Sequence, residues 1–522
     1  MASSSSKINT LSDILHRAEK WIDDCLNSHP NCRSRGCEKG LPARIIDVGP
    51  ADGSKEPYLL VISLSNSPAE RTKPSTDVEN ISHEVSELDV SSATDSTRNI
   101  RYVALTYCWG NTQNFLTTRE NLESMKDRIP WDKLPQTIKD AITVTRRLGI
   151  RYFWVDALCI IQNSPEDWQA ESMKMADVYG GAFLTISAAL GPDVHHGLTQ
   201  PPVGPKPQFP LQGDPLYSRA WSLQERILSA RILIFGGDQM YWECQDCQQG
   251  EDGTQIPRPV SYRLRREPSI IDWHVIVEDY TCRALTKEAD KLPALSGLAE
   301  VYHQATKYDY LAGLWRQSLP EDLLWWQQYL LYGNRVSRGI PSTYRAPSWS
   351  WASLDGNVRF NHFNNAAGYK FIPSAEIVGT HNDPPSSRTS GETNELMGDW
   401  ICVCGSLLQA CITRGEVHFY DGSSAIGWID LRRSHDTPGG EEERLGEFEW
   451  HLTVNIREVW CLLLGVSSNT DDGTTGVGHG LILVPTKATI ERAFKRIGVF
   501  RAETDSWRHC FQSSDESTVF IF

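Results

Sequence analysis

YFWVDALCIIQ at residues 152–162 is followed at once by PEDWQAESMKMADVYG at 165–180, and the reading of these two stretches decides the fold. The first is apolar, of strand length, and rich in aromatic and β-branched residues, with Asp156 in its interior. In the second, Ser164, Pro165 and Asp167 read as N-cap, first-turn proline and capping-box acid of a helix. At helical spacing Trp168, Ser172, Met175 and Tyr179 share one face, and Glu171 falls on its edge beside Met175 and Val178. A strand carboxylate and a helix carboxylate thus both point toward apolar surroundings. A buried acid costs free energy unless it is paired or used, so Asp156 and Glu171 are the first site candidates. Pairing with backbone or arginine is the structural alternative for both.

Outward from this stretch the pattern alternates. RYVALTYCW (101–109) predicts a strand, and Leu134-Pro135 opens a helix whose Ile138, Ala141, Ile142, Thr145 and Leu148 keep a 3.6-residue period until Gly149. Residues 152–161 predict a second strand, 165–179 a helix, and AFLTISAAL (182–190) a third strand. Near-continuous apolar strands alternating with helices imply α/β architecture, a parallel sheet covered on both faces. Such sheets place ligands beyond the carboxyl ends of their strands, where Trp109, Gly110, Ile161, Gln162 and the start of the 165–179 helix gather. A short helix at 218–229 and a hairpin, RILIFG with QMYWEC around Gly236-Gly237-Asp238, follow a Pro/Gly-rich loop.

Around this block (100–250), residues 1–64 predict a helix with Leu11, Leu15, Ala18, Ile22 and Cys25 on one face, then a strand pair, LPARIIDVG and PYLLVISL. Residues 65–99, dominated by Ser, Thr, Glu and Asp, supply too little apolar surface to offset ordering and predict a disordered insertion. A mainly helical segment (251–345) leads to a β-rich module (346–522) with strand-like runs such as WICVCGSLLQACI and EVWCLLLGV. The 522 residues are too many for one core. The net charge of −15, without a long Lys/Arg cluster, argues against nucleic acid as a partner. No apolar run is long enough to span a bilayer, and the N-terminus lacks a signal-peptide core. The 13 cysteines, many within apolar runs, read as reduced core thiols of a cytoplasmic protein.

YVALTYCWG (102–110), LPQTIKDAITVTRRLGIRYFWVDALCIIQ (134–162), SRAWSLQERILSARILIFG (218–236) and QMYWEC (239–244) occur in the order and spacing of the fungal heterokaryon incompatibility domain, which this region resembles. DKLPALSGLA (290–299), YLAGLWR (310–316) and YRAPSWSWASLDG (344–356) resemble the long fungal proteins that carry that domain near their N-terminal end. Thr106, Ala157 and Ser222 are mild departures from the pattern. The resemblance implies a fold similar to the Toll/interleukin-1 receptor (TIR) domain, a flavodoxin-like parallel sheet flanked by helices. It also implies programmed cell death in nonself recognition, and NAD as a substrate cleaved at the nicotinamide–ribose bond, with no bound cofactor. In enzymes of that class a helix glutamate carries the chemistry and a Trp precedes it, which maps onto Trp168 and Glu171. Two other functions stay open: a non-enzymatic module acting through a protein partner or self-association, and a paralogue recruited to specialised metabolism.

Glu171 is the candidate for stabilising the ribosyl cation, with pairing to Arg146, Arg219 or Arg226 as its structural alternative. Asp156 is the candidate orienting acid or ribose-hydroxyl acceptor. Tyr107 and Trp109 could stack on a flat ring, or pack in the core. Gln162, Trp168 and Arg226 complete the candidate substrate-binding set, and the polar triplet Gln224-Glu225-Arg226 either closes the pocket or anchors the hairpin. Cys25, His29, Cys32 and Cys37 have metal-compatible types, and Cys244 and Cys247 form a lone CxxC. Neither set alone is a full zinc motif and the two would have to adjoin in space, so no metal is assigned. Cys159 reads as a buried inert thiol.

Overall fold

Among the described residues nine short strands make one sheet: β1 (Arg44–Asp47), β2 (Tyr58–Ser63), β3 (Glu87–Asp89), β4 (Tyr102–Thr106), β5 (Tyr152–Trp154), β6 (Leu184–Ser187), β7 (Arg231–Phe235), β8 (Met240–Cys244) and β9 (Gln248–Gly250). The structure is a computed structural model that describes residues 11–32, 41–63, 87–89, 100–111, 114–198, 213–256, 264, 267–328, 341, 343–361, 370–380, 399–413, 416–419, 424–429, 455–469, 476–486, 491–503 and 506–522. The sheet order is β3-β2-β1-β5-β4-β6-β7-β8-β9. β5, β4, β6 and β7 form its parallel centre, with Tyr102 opposite Tyr152, Val103 opposite Leu184 and Ile186 opposite Leu233. β1 and β2 extend it antiparallel on one side, and β8 and β9 on the other. The four central strands are fully or largely buried, which is why they read as apolar runs rather than alternating ones.

In chain order the four parallel strands lie second, first, third, fourth. The chain steps from β4 to β5, then returns past β4 to β6, so the direction of winding reverses between β4 and β6. Ligands of open parallel sheets bind beyond the strand ends at such a reversal. The connections carry helices. Before β1 comes α1 (Leu11–Ser28), and between β4 and β5 lie α2 (Leu122–Asp127) and α3 (Gln136–Arg147). α3 buries Ile138, Ala141, Ile142 and Thr145 as its period requires, and Gly149 stops it at φ +69°.

Four local expectations change. The second strand ends at Trp154, and Asp156–Cys159 form a single helical turn, α4, so Asp156 is not the strand carboxylate expected. β5 pairs with β4 only over Tyr152–Trp154, and Asp156 Oδ1 accepts the Ala157 amide at 2.7 Å, which starts the turn. Ala157, Leu158 and Cys159 are wholly buried, and an apolar run of that kind cannot distinguish strand from buried helix. In α5 (Pro165–Gly181) Ser164 does cap the helix by accepting from the Asp167 amide. The Asp167 carboxylate, however, accepts from the Ile161 amide at 2.8 Å and from Arg44 at 2.5 and 2.7 Å, tying the helix start to β1 instead of completing a capping box. Within the expected insertion, Glu87–Asp89 run parallel to β2; the rest of 65–99 lies outside the described residues. The third strand is shorter than its apolar run, Leu184–Ser187.

The chain divides into two units, the first comprising Met1–Tyr262, Arg283–Leu285 and Pro293–Leu298, and the second the remainder. Within the first, α6 (Trp221–Leu228) precedes β7. Within the second, α7 (Ile270–Thr281) opens on a full Ser269/Asp272 capping box. Trp273, Tyr302 and Trp315 pack there with ring centroids 4.6–5.7 Å apart. The other described residues of this unit include a second sheet of nine described strands, largely antiparallel, whose longest strands are Ile401–Thr413 and Asn455–Ser468. Among the described residues no helix is long and apolar enough to cross a membrane.

Candidate functional site

β4 runs out at Thr106, and the chain carries Tyr107 and Trp109 past the carboxyl end of the strand before turning at Gly110. Gly110 has φ +72°, and a Cβ there would stand 2.3 Å from that of Asp193, so glycine alone fits. Trp109 Nε1 donates to Asp156 Oδ2 at 2.8 Å, linking the ends of β4 and β5. Arg219, in the turn before α6, donates to the Tyr107 carbonyl, and the Thr106 hydroxyl donates to Glu225 on α6. Two carboxyls, one guanidinium and two aromatic rings therefore converge where the parallel sheet reverses its winding.

Their environments set their protonation. Burial pushes the Asp156 carboxyl up, against the pull of Arg219 and the Trp109 hydrogen bond. Burial raises Glu225 further, to about 7, although Arg219 and Thr106 oppose it. Burial alone would lower Arg219, but Glu225 and Asp156 outweigh it and the guanidinium is held more firmly charged. An acid poised near neutrality beside a fixed cation can hold or transfer a proton at physiological pH. Tyr107 is itself buried, its hydroxyl accepting from Asn114 Nδ2 at 3.4 Å, so Trp109 is the ring with surface left to stack on a ligand.

Glu171 faces inward from α5 with Met175, Val178 and Tyr179, and is 3% exposed. One oxygen meets Lys174 Nζ at 2.9 Å; the other, Oε2, is buried without a hydrogen-bond partner among the described residues. The partner is Lys174, not Arg146, Arg219 or Arg226. Arg146 donates to the Val48 and Lys55 carbonyls. The Cys159 thiol, pushed up to about 12 chiefly by burial, feels both Glu171 and Asp156, which fits an inert core cysteine.

Residues 102–208 match the family model described as Heterokaryon incompatibility protein (HET). The chain contains a heterokaryon incompatibility domain. No curated protein and no solved structure gives a significant match. The matched span carries Tyr107, Trp109, Asp156, Gln162, Trp168 and Glu171, and stops short of Arg219 and Glu225.

Within the heterokaryon incompatibility domain Gln162 donates to the Asp156 and Ile160 carbonyls at 2.9 and 3.2 Å, bracing the α4 turn. Trp168 lies half-buried in the first turn of α5. Arg226 is held elsewhere, forked onto Glu243 of β8 at 2.7–3.2 Å and stacked over Tyr217. The triplet at 224–226 thus splits: Gln224 accepts the Gly297 amide, Glu225 joins the site, and Arg226 anchors the hairpin. From sequence Arg219 entered only as an alternative partner of Glu171 and Glu225 only within the polar triplet at 224–226, and that triplet in an otherwise apolar helix was the available signal.

A second cluster stands apart from these carboxylates. Cys25, His29, Cys32 and Cys244 bring one ligand atom each to within 4.8 Å of all the others, and Cys247 Sγ is 3.7 Å from Cys244 Sγ. The juxtaposition that neither motif could establish alone is present; Cys37 lies outside the described residues.

Proposed function

We propose that this chain is a cell-death effector of fungal nonself recognition whose heterokaryon incompatibility domain hydrolyses NAD at the nicotinamide–ribose bond. The reading is supported by the domain match and by the order of the four parallel strands, second–first–third–fourth, an order compatible with the winding that the TIR-like reading requires. The observation that carries the chemistry is the buried Oε2 of Glu171, which has no hydrogen-bond partner among the described residues. A desolvated carboxylate oxygen is poised to stabilise positive charge, and departure of neutral nicotinamide leaves that charge on the ribose. Water then adds at the ribose carbon and loses its proton to a carboxylate. Asp156, oriented by Trp109, is the ribose-hydroxyl acceptor, while Trp109, Trp168 and Gln162 flank the substrate.

The closed network around Arg219 favours a second reading. Its charge already offsets Asp156 and Glu225, so these groups need no substrate, and the domain would then act by assembling with a protein partner or with itself. Incubation of purified full-length protein with NAD separates the two. Nicotinamide release that disappears in Glu171→Gln upholds hydrolysis. A folded protein that releases none, at concentrations where it also self-associates, leaves the assembly reading.

A further inference from the structure

We propose that Cys25, His29, Cys32 and Cys244 bind one zinc ion that pins α1 to β8. The first three come from one short stretch. Cys25 and His29 are one helical turn apart, the His29 amide donating to the Cys25 carbonyl at 3.2 Å, and Cys32 closes the tight turn that follows, its amide donating to the His29 carbonyl at 3.1 Å. Cys244 ends β8 and stands 3.3 Å from His29 Nδ1. A tetrahedral ion with Zn–S about 2.3 Å and Zn–N about 2.0 Å spaces its ligand atoms roughly 3.5–3.8 Å apart, so the observed limit of 4.8 Å needs only a slight contraction.

The chemistry of the set selects the ion. Three thiols and an imidazole, with no carboxylate among them, suit a borderline-soft cation and not calcium or magnesium. All four positions are protein groups, which marks a closed structural centre with no site for water or substrate. The three cysteines are buried free thiols. Buried thiolates would be costly without a cation to neutralise them. The surroundings are built to hold them: the Cys247 amide donates to Cys244 Sγ at 3.4 Å, and Arg231 Nη2 donates to the Cys32 carbonyl at 2.5 Å. Beside the cluster Trp21 packs on Trp242 with ring centroids 6.2 Å apart, and Arg17 donates to the Glu251 carbonyl at 2.8 Å. The ion would therefore fix a helix that already lies on that edge of the sheet. The inference is independent of NAD hydrolysis.

Full-length protein from zinc-supplemented medium, purified under reducing conditions, should contain one zinc per chain by elemental mass spectrometry. Cys247→Ser should keep it, and the pair Cys25→Ser/Cys32→Ser should lose it more than tenfold. Should that pair fail to fold, His29→Cys decides the matter. It should still bind one ion, and after exchange with Co2+ its tetrahedral visible spectrum should differ from wild type, because a fourth sulfur has replaced nitrogen. Chelation of wild type should lower the melting temperature, and added Zn2+ should restore it. Folded wild type that carries no stoichiometric metal and gives no tetrahedral cobalt spectrum overturns the proposal. Zinc retained by the double variant, or an unchanged cobalt spectrum in His29→Cys, does the same.

Discussion

At the scale of single residues the two acids that matter most differ in how they are held. Glu171 is buried, but its partner Lys174 is half exposed, with 48% of its side chain open to solvent. Removing the carboxylate therefore strands no buried cation. Glu171→Gln should abolish nicotinamide release and shift stability by less than about 1 kcal/mol, not the roughly 3–5 kcal/mol of a broken buried pair; activity and melting temperature on one sample check both. Glu225 predicts a pH effect. Its carboxyl rises from 4.5 to about 7 on folding, so the native state binds the extra proton between those values. Stability from this group is complete below the unfolded value and is lost as pH rises to about 7, by about 3 kcal/mol at most. Asp156, also raised, acts in the same direction, whereas Arg219 and Arg283 favour the charged form of Glu225. Melting between pH 4.5 and 8 should show a smaller fall with rising pH in Glu225→Gln than in wild type; parallel curves would refute the assignment. Asp156, Glu171, Tyr107 and Trp109 were legible as candidates because polar or aromatic groups in apolar runs stand out. Arg219 was not legible as a site residue, because its value comes from two acids contributed by distant segments.

At the scale of elements the sequence was informative about kind and poor about extent. Period and caps placed α3 and α5 within a few residues, since those signals are local. The strand through Asp156 was overextended, because burial makes strand and helix equally apolar. The order of strands was invisible, being decided by pairings between distant segments. Two substitutions test the elements that carry the site. Ser164→Ala removes the side-chain acceptor for the Asp167 amide and should cost about 1 kcal/mol by thermal or denaturant melting. Gly110→Ala should cost more, because a methyl group would overlap Asp193 as well as occupy a left-handed backbone. That substitution should also disturb the neighbouring Trp109–Asp156 hydrogen bond, seen as a changed near-ultraviolet tryptophan signal.

At the scale of the whole molecule, the path of the chain decides which fragment can act. After Tyr262 it leaves the first unit and returns twice, at Arg283–Leu285 and Pro293–Leu298. Those returns brace the elements that carry Arg219 and Glu225. The Ala284 amide donates to the Ser218 carbonyl at 2.7 Å and the Ala220 amide to the Ala284 carbonyl at 2.9 Å. Arg283 Nη1 donates to Ser222 Oγ at 3.0 Å, and the Gly297 amide to Gln224 Oε1 at 2.9 Å. Composition and motif order gave no hint of this, since 251–345 read as one helical block following the domain. A fragment ending at residue 250 leaves the buried acceptor Gln224 Oε1 without its donor, and should melt lower than one ending at residue 298. The longer fragment is therefore the one to express in a fungal host. If the heterokaryon incompatibility domain is an NAD-hydrolysing effector, residues 1–298 should arrest growth and deplete cellular NAD, and the same fragment with Glu171→Gln should do neither at equal abundance. Arrest without NAD loss would place the effect in assembly, because death would then proceed with the substrate intact. Normal growth beside abundant soluble wild-type fragment would remove the effector reading itself, since the elements thought to act would be present, braced and silent.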